Sequence, residues 1–282
     1  MARAFGEIAE RLRRSTVEVL LRGADLRDNA GGSGVIASPD GRIVTNAHVA
    51  RGPDASVRLW DGRELHATLL ARDPRRDLAT LQVEAAGLPS ASFGDSGALR
   101  VGELVMAIGN PMGFIGALTT GVVHALGSLS GFGRQSWVLA DVRLAPGNSG
   151  GPLADASGRV IGINTMIVNG LGAAVPGNAV TAFLRRGAAG FSLGVTVQAV
   201  RLEDRRFGLL VLKVEPGSPA AAAPLWTGDV LIGVGGRPLR SVDDLHQALD
   251  DSGVIHLQFL RGDRAATREV AIGLAHRVAE AA

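Results

Sequence analysis

Gly147-Asn148-Ser149-Gly150-Gly151-Pro152 is the most telling run in the chain. A serine flanked by residues without bulky side chains lets the backbone turn sharply and lets a second polypeptide approach the hydroxyl. Glycine at 147 can also bring its amide beside that of Ser149, and two amides aimed at one point are what a developing oxyanion requires. A serine hydroxyl is a weak nucleophile without a base beside it. His48 is the candidate base, because it closes the strand-like run Ile43-Val44-Thr45-Asn46-Ala47-His48. His66, His124, His246, His256 and His276 lack such an apolar lead into a small residue. The base in turn needs a carboxylate to hold its tautomer. Asp77 stands at the mouth of the strand-like Leu78-Ala79-Thr80-Leu81, with Asp73 as its nearby competitor.

Outward from these residues the chain reads as short strands separated by turn signals. Strands are expected over Thr16–Leu21, Gly34–Ala37, Arg42–Thr45, Ser56–Leu59, Leu78–Val83, Leu104–Ile108, Val138–Ala140 and Val160–Asn164, with a short helix over Ala179–Arg186. Pro39-Asp40-Gly41 and Asp61-Gly62 supply turns between them. Such spacing favours a sandwich or barrel over alternating strand–helix units. A small-residue linker over Gly187–Gly190 then divides the chain into 1–187 and 188–282. In the second part, Leu193–Val200, Phe207–Val214, Asp229–Val234, Ile255–Leu260 and Glu269–Leu274 read as strands and Ala220–Ala223 as a short helical patch. Ser241–Leu249 reads as an amphipathic helix with a serine cap and Val242, Leu245 and Leu249 on one face.

Composition agrees with a folded, β-rich protein. The 282 residues are 46% hydrophobic, enough for a sizeable core, and the 39 glycines fall in short groups without a collagen period. The absence of cysteine excludes disulfides, zinc–thiolate sites and a cysteine nucleophile. The sequence pI is 10.2, yet the net charge is only +2. With no tyrosine and a single lysine, Lys213, almost nothing titrates between neutrality and the arginine range. The chain is therefore no polycation, and no dense basic patch points to nucleic acid. No run of about 18 apolar residues predicts a membrane span. Met1–Arg14 reads as a short amphipathic helix without the apolar core of a secretory leader.

The order His48, Asp77, Ser149 is that of chymotrypsin-like proteases. Beyond that order, TNAHV, DLATL, AIGNPMG (Ala107–Gly113), TTGVVHALG (Thr119–Gly127), APGNSGGPL (Ala145–Leu153) and GRVIGINT (Gly158–Thr165) resemble the HtrA (DegP-like) family. Ser192-Leu193-Gly194-Val195, Thr227–Ile232 and Ser241–Leu249 resemble the carboxylate-binding loop, the following strand and the groove helix of a PDZ domain. The resemblance implies a mainly β fold, with two six-stranded β-barrels of the trypsin-like kind and a small α+β PDZ domain. It implies a serine endopeptidase acting on unfolded or misfolded polypeptides, needing no metal or cofactor. Gly147 and Ser149 would supply the oxyanion amides, with Asn148 shaping the loop. Arg143, Asn164 and Thr165 would lie at the specificity pocket. Leu193, Gly194 and Val195 would receive the carboxylate of C-terminal peptides, with Leu245 and Leu249 lining the groove.

Relatives of this kind usually form homotrimers through N-terminal apolar residues, for which Phe5 and Ile8 are the candidates here. They work mostly in the periplasm or cell envelope, whereas this chain carries no evident leader, so its location stays open. The segment between Leu21 and Gly34 is too short for a long inhibitory loop. Arg143 departs from the family, which often has a small or apolar residue there. Pointing inward, it favours an acidic residue before the scissile bond; pointing to solvent, it leaves the usual preference for small aliphatic residues. The rival readings are a protease-like binding protein that does not cut, a scaffold whose PDZ-like part does the work, and an esterase.

Overall fold

Apolar runs without alternation, such as Val35-Ile36, Ile43-Val44 and Val105-Met106-Ala107-Ile108, call for strands covered on both faces. The computed structural model, which describes residues 2–21, 31–129, 135–186, 193–251, 253–262 and 266–274, reveals the cover. The chain divides into two compact units, Met1–Gly187 and Ala188–Ala282.

The first unit opens with α1 (Ala2–Arg14). β1 (Thr16–Leu21), β2 (Gly31–Ile36), β3 (Arg42–Thr45), β4 (Asp54–Arg58), β5 (Glu64–Asp73) and β6 (Leu78–Val83) then close into a barrel in the order β1-β2-β3-β6-β5-β4. A second barrel is built from β7 (Leu104–Gly109), β8 (Ala117–Ser128), β9 (Ser136–Ala140), β10 (Pro152–Asp155), β11 (Val160–Val168) and β12 (Leu171–Pro176). Its order is β10-β11-β12-β9-β8-β7, and α2 (Gly177–Arg186) follows it.

Alternation along each strand sorts side chains between barrel interior and barrel interface. Ile36, Ile43, Ala79 and Leu81 fill the first barrel with Val17, Val19 and Val57. Val35, Val44 and Leu78, one residue along on the same strands, turn outward. They pack with Met106, Ile108, Ile163 and Val175 of the second barrel, Leu12 of α1, and Val180 and Phe183 of α2. Each such large side chain, fully buried, is worth about 1.5–3 kcal/mol, so the barrels are joined by a continuous apolar seam. Ile8 also packs against this seam, over Gly158, where an added Cβ would meet its Cγ2 at 2.8 Å. Of the two residues expected to serve self-association, only Phe5 is left exposed.

The second unit contains β13 (Val195–Arg201), β14 (Phe207–Val214), α3 (Pro219–Ala222), β15 (Val230–Val234), β16 (Arg237–Pro238), α4 (Val242–Asp251), β17 (Val254–Leu260) and β18 (Thr267–Gly273). Its sheet runs β13-β14-β15-β17-β18, with β16 paired to β15. Ser241 and Asp244 cap α4 reciprocally: the Asp244 N–H donates to Ser241 Oγ (3.3 Å) and the Ser241 N–H to Asp244 Oδ2 (3.0 Å). Leu193, Leu209, Leu231, Leu245, Leu249 and Leu257 share one core beneath the sheet.

The sequence reading missed β5, β8, β10, β12 and the two-residue β16. β5 alternates, turning Leu65, Ala67, Leu69 and Ala71 inward, but the sequence reading did not pick it out; the inward positions of β8 are mostly small or polar, such as Ala117, Thr119, Gly121 and Ala125. β10 is four residues long and β12 is built largely of small residues. The linker over Gly187–Gly190, Ser192 and most of the segment between Leu21 and Gly34 lie outside the described residues.

Candidate active site

His48 lies in the turn that follows β3. Asn46 begins that turn, its carbonyl accepting the N–H groups of Val49 (3.1 Å) and Ala50 (3.0 Å). Asp77 immediately precedes β6 in a left-handed backbone conformation, φ +54°, which is uncommon for a residue other than glycine. In this pose its carboxylate meets His48 twice. Oδ1 accepts the His48 main-chain N–H at 3.0 Å, and Oδ2 lies 2.7 Å from Nδ1. With the Nδ1 hydrogen so engaged, Nε2 is left as the acceptor of the ring. Asp73 is occupied elsewhere: it accepts from the Arg75 and Arg76 main-chain N–H groups and pairs with the Arg76 guanidinium at 2.9 Å. The structure thus separates the two aspartates that sequence alone left in competition.

Ser149 lies in the loop entering β10 of the second barrel. Gly147 has φ +103° and Gly150 φ +88°, the left-handed region where a side chain is strained. Close packing adds a second reason for glycine at 147, where a Cβ would fall 2.6 Å from the Asn110 carbonyl oxygen. The Asn148 N–H donates to the Ala145 carbonyl (3.0 Å). Among the described residues, the Gly147 and Ser149 amides donate to no protein acceptor. The two barrels meet at Gly32 of β2, where a Cβ would fall 2.6 Å from Val49 Cγ2 and 2.8 Å from the Ser149 carbonyl oxygen. The His48 turn and the Ser149 loop are therefore neighbours.

The Ser149 hydroxyl donates to the Thr165 carbonyl (3.0 Å) and makes no hydrogen bond to His48. Thr165 also connects it to the aspartate. Asn46 Nδ2 donates both to Thr165 Oγ1 (2.9 Å) and to the Asp77 carbonyl (2.8 Å). A bridge of two residues thus links Ser149 to Asp77. Asn46, fully buried, was not singled out from the sequence, where it reads as one polar residue in a strand end.

The residues expected at the specificity pocket fall differently. Arg143 is exposed, and its main-chain N–H donates to Thr119 Oγ1 (3.3 Å). Asn164 and Thr165 are buried. Asn164 Nδ2 donates to the Pro152 carbonyl (2.9 Å), while its main-chain groups bond Gly150 and Gly151. The Asn164 side chain braces the loop, the Thr165 hydroxyl is held by Asn46 and Ile163, and both side chains offer little surface to a ligand. In the second unit, Gly194 has φ +72° and Leu193 is buried, its carbonyl accepting the Ala220 N–H (2.9 Å). Leu245 and Leu249, 2% and 8% exposed, face the core, so little of either is open to a ligand.

The profile of trypsin-like peptidase domains matches residues 32–163, and that of PDZ domains residues 210–261. Among solved structures, the chain is similar to the HtrA-type protease AlgW with decapeptide, at 26% identity and TM-score 0.71, covering 98% of this chain and 99% of that one. It is also similar to the serine endoprotease from Yersinia pestis, at 28% identity and TM-score 0.68, covering 96% and 97%. A probable periplasmic serine endoprotease, DegP-like, from Pseudomonas savastanoi is 37% identical over 265 residues, covering 86% of this chain and 55% of its own length. The putative serine protease HhoB from Synechocystis is 36% identical over 259 residues, covering 82% and 62%. The chain thus spans little more than half the length of these curated relatives.

Two closed barrels and a separate small sheet, matched by those two profiles, define a trypsin-like peptidase domain followed by one PDZ domain. The chain belongs to the HtrA (DegP-like) serine protease family. Among the described residues, no helix is long and apolar enough to cross a membrane.

Proposed function

We propose that this chain is an endopeptidase for unfolded polypeptides, working by acyl transfer at Ser149. The double grip of Asp77 on His48 carries this reading, because it leaves Nε2 free to accept a proton beside a glycine loop that holds a serine. In this reading Ser149 Oγ leaves the Thr165 carbonyl for Nε2 when substrate binds. Catalytic hydrogen bonds of this kind often form only with substrate bound. Ser149 Oγ then attacks the peptide carbonyl while its proton passes to His48, and the oxyanion is received by the Gly147 and Ser149 amides. His48 returns the proton to the leaving amine as the C–N bond breaks. Water, deprotonated by His48, releases the acyl group and restores the serine.

The second unit would bind C-terminal peptide segments. Among the described residues β13 pairs only with β14, leaving an open edge to which an extended peptide can add. The turn at Leu193, Gly194 and Val195 leads into that edge and would take the carboxylate. Arg143, being exposed, favours a preference for small aliphatic residues before the scissile bond over an acidic one. Digestion of casein by wild type and Ser149→Ala, with fluorophosphonate labelling of both, tests the main reading. Cleavage and labelling should vanish together in the variant; equal cleavage by both proteins would refute it. A binding protein that does not cut is the second reading, favoured by the engagement of the Ser149 hydroxyl with Thr165. It predicts casein binding by wild type without cleavage or labelling.

A further inference from the structure

We infer that Ser33 is a positioning residue for the oxyanion site, holding the peptide unit between Gly147 and Asn148 so that the two oxyanion amides stay aimed at one point. The inference rests on the acyl-transfer reading above. Ser33 belongs to β2 of the first barrel and is fully buried, yet its polar atoms serve the loop of the second. Its hydroxyl donates to the Gly147 carbonyl (2.7 Å) and accepts from the Asn110 N–H (2.8 Å). Its main-chain N–H donates to the Ser149 carbonyl (2.7 Å). One residue therefore grips the carbonyls on either side of Asn148.

The peptide units of the loop divide by what holds them. The unit between Gly147 and Asn148 is anchored at both ends, by Ser33 Oγ on its carbonyl and by the Ala145 carbonyl on its N–H. The Asn148 carbonyl, one atom from the Ser149 amide, accepts the Gly151 N–H (3.0 Å). The unit that carries the Gly147 amide has no such anchor among the described residues, since neither its N–H nor the Pro146 carbonyl has a protein partner. Its orientation depends on Gly147 itself, and glycine restrains it least of all residues. Holding the unit on the far side of Gly147 is then the way to hold its amide. The packing is close enough to transmit this: Cβ atoms built at Gly109 and Gly151 would fall 3.1 Å from Ser33 Oγ and 3.2 Å from Ser33 Cβ. His48 follows β3, the strand paired with β2, so Ser33 also ties the oxyanion donors to the barrel that carries the base.

The experiment compares full-length wild type, Ser33→Ala and Val57→Ala on a fluorogenic peptide. Each is also titrated with a peptide boronate, whose boron takes the Ser149 oxygen to form a tetrahedral anion in the same site. Val57 lies in the first barrel's core, away from the loop, and serves as the purely structural comparison. Ser33→Ala should lower kcat about 10- to 100-fold, less than the loss of a direct oxyanion donor. Its KM should stay within about twofold, and boronate affinity should fall by the same factor as kcat. Val57→Ala should lower the melting temperature with kcat within about threefold of wild type. If Ser33→Ala does not fold, Ser33→Cys, with its weak S–H donor, is read instead and should give a smaller loss of the same pattern. Unchanged kcat and boronate affinity in the folded Ser33 variant overturn the inference, as does an equal loss in Val57→Ala. A wild type that neither cuts nor binds the boronate overturns the acyl-transfer reading, and the inference falls with it.

Discussion

Changing Asp77 to asparagine alters the site's hydrogen bonding while keeping its shape. Both carboxylate oxygens face donors, Oδ1 the His48 main-chain N–H at 3.0 Å and Oδ2 the Nδ1 position at 2.7 Å. The main-chain N–H cannot become an acceptor, so the amide oxygen of the variant must face it and the NH2 must face Nδ1. Nδ1 then gives up its hydrogen to Nε2, the atom that accepts the Ser149 proton in the acyl-transfer reading. The opposite orientation sets an NH2 against an N–H and costs a buried hydrogen bond. In either case the imidazolium loses its neighbouring anion. The corresponding change in a serine protease triad lowers kcat about 10⁴-fold, or about 5.4 kcal/mol of barrier at about 1.36 kcal/mol per decade. The assay is kcat on a fluorogenic peptide for wild type, Asp77→Asn and Asp73→Asn, each checked by thermal melting. Asp73→Asn should keep kcat within about threefold, because its carboxylate serves Arg75 and Arg76. A folded Asp77→Asn enzyme within tenfold of wild-type kcat would refute the reasoning.

Gly194→Ala should lower affinity for a peptide with a free C-terminal carboxylate more than about tenfold. Its backbone is left-handed and a Cβ there would overlap Ser218; unchanged fluorescence polarisation titrations would count against the site. Asp229, 1% exposed, accepts from Arg261 twice at 2.7 Å and from the Trp226 N–H at 2.8 Å. Asp229→Ala should cost about 3 kcal/mol in denaturant unfolding, the lower end for a broken buried pair, because Arg261 keeps its stack on Trp226. Hydrogen bonds from the Arg13 and Arg14 guanidiniums hold the Glu10 carboxyl down at about 2, from an ordinary 4.5. A depressed carboxylate contributes its stability above its ordinary value and loses it as pH falls toward about 2. The side chain is largely solvated, so Glu10→Gln should cost less than about 0.5 kcal/mol at neutral pH, with the difference from wild type closing below pH ~4 in acid melts.

The fold class was legible through the family resemblance, two six-stranded barrels followed by a small sheet, although several individual strands were not. Ser149, Gly147 and His48 stand in runs whose spacing states a need: a serine with space around it and a base at a strand end. Asp77 was preferred to its competitor Asp73 for its place before a strand, while the left-handed backbone that aims it at His48 has no marker in composition. Ser33 and Asn46 escaped notice because partners that give them a role, Gly147 and Thr165, stand 114 and 119 residues further along and meet them only where the two barrels touch. Asn164 and Thr165 were expected at a pocket wall; their side-chain polar groups are engaged by Pro152, Asn46 and Ile163. The apolar interface was visible in part, since runs such as Val105–Ile108 are buried on both faces. β8 was not, because its inward positions are mostly small residues; the alternation of Leu65, Ala67, Leu69 and Ala71 in β5 was there to be read and was passed over.

For a protein proposed to act on unfolded chains, unsatisfied backbone would be a route into their aggregates. Both barrels of the first unit wrap into closed cylinders, so none of their strands presents a vacant border to a passing polypeptide. Among the described residues the vacant borders belong to the second unit, along β13 and β18. The architecture thus closes the first unit to strand-by-strand accretion and leaves such pairing to the second.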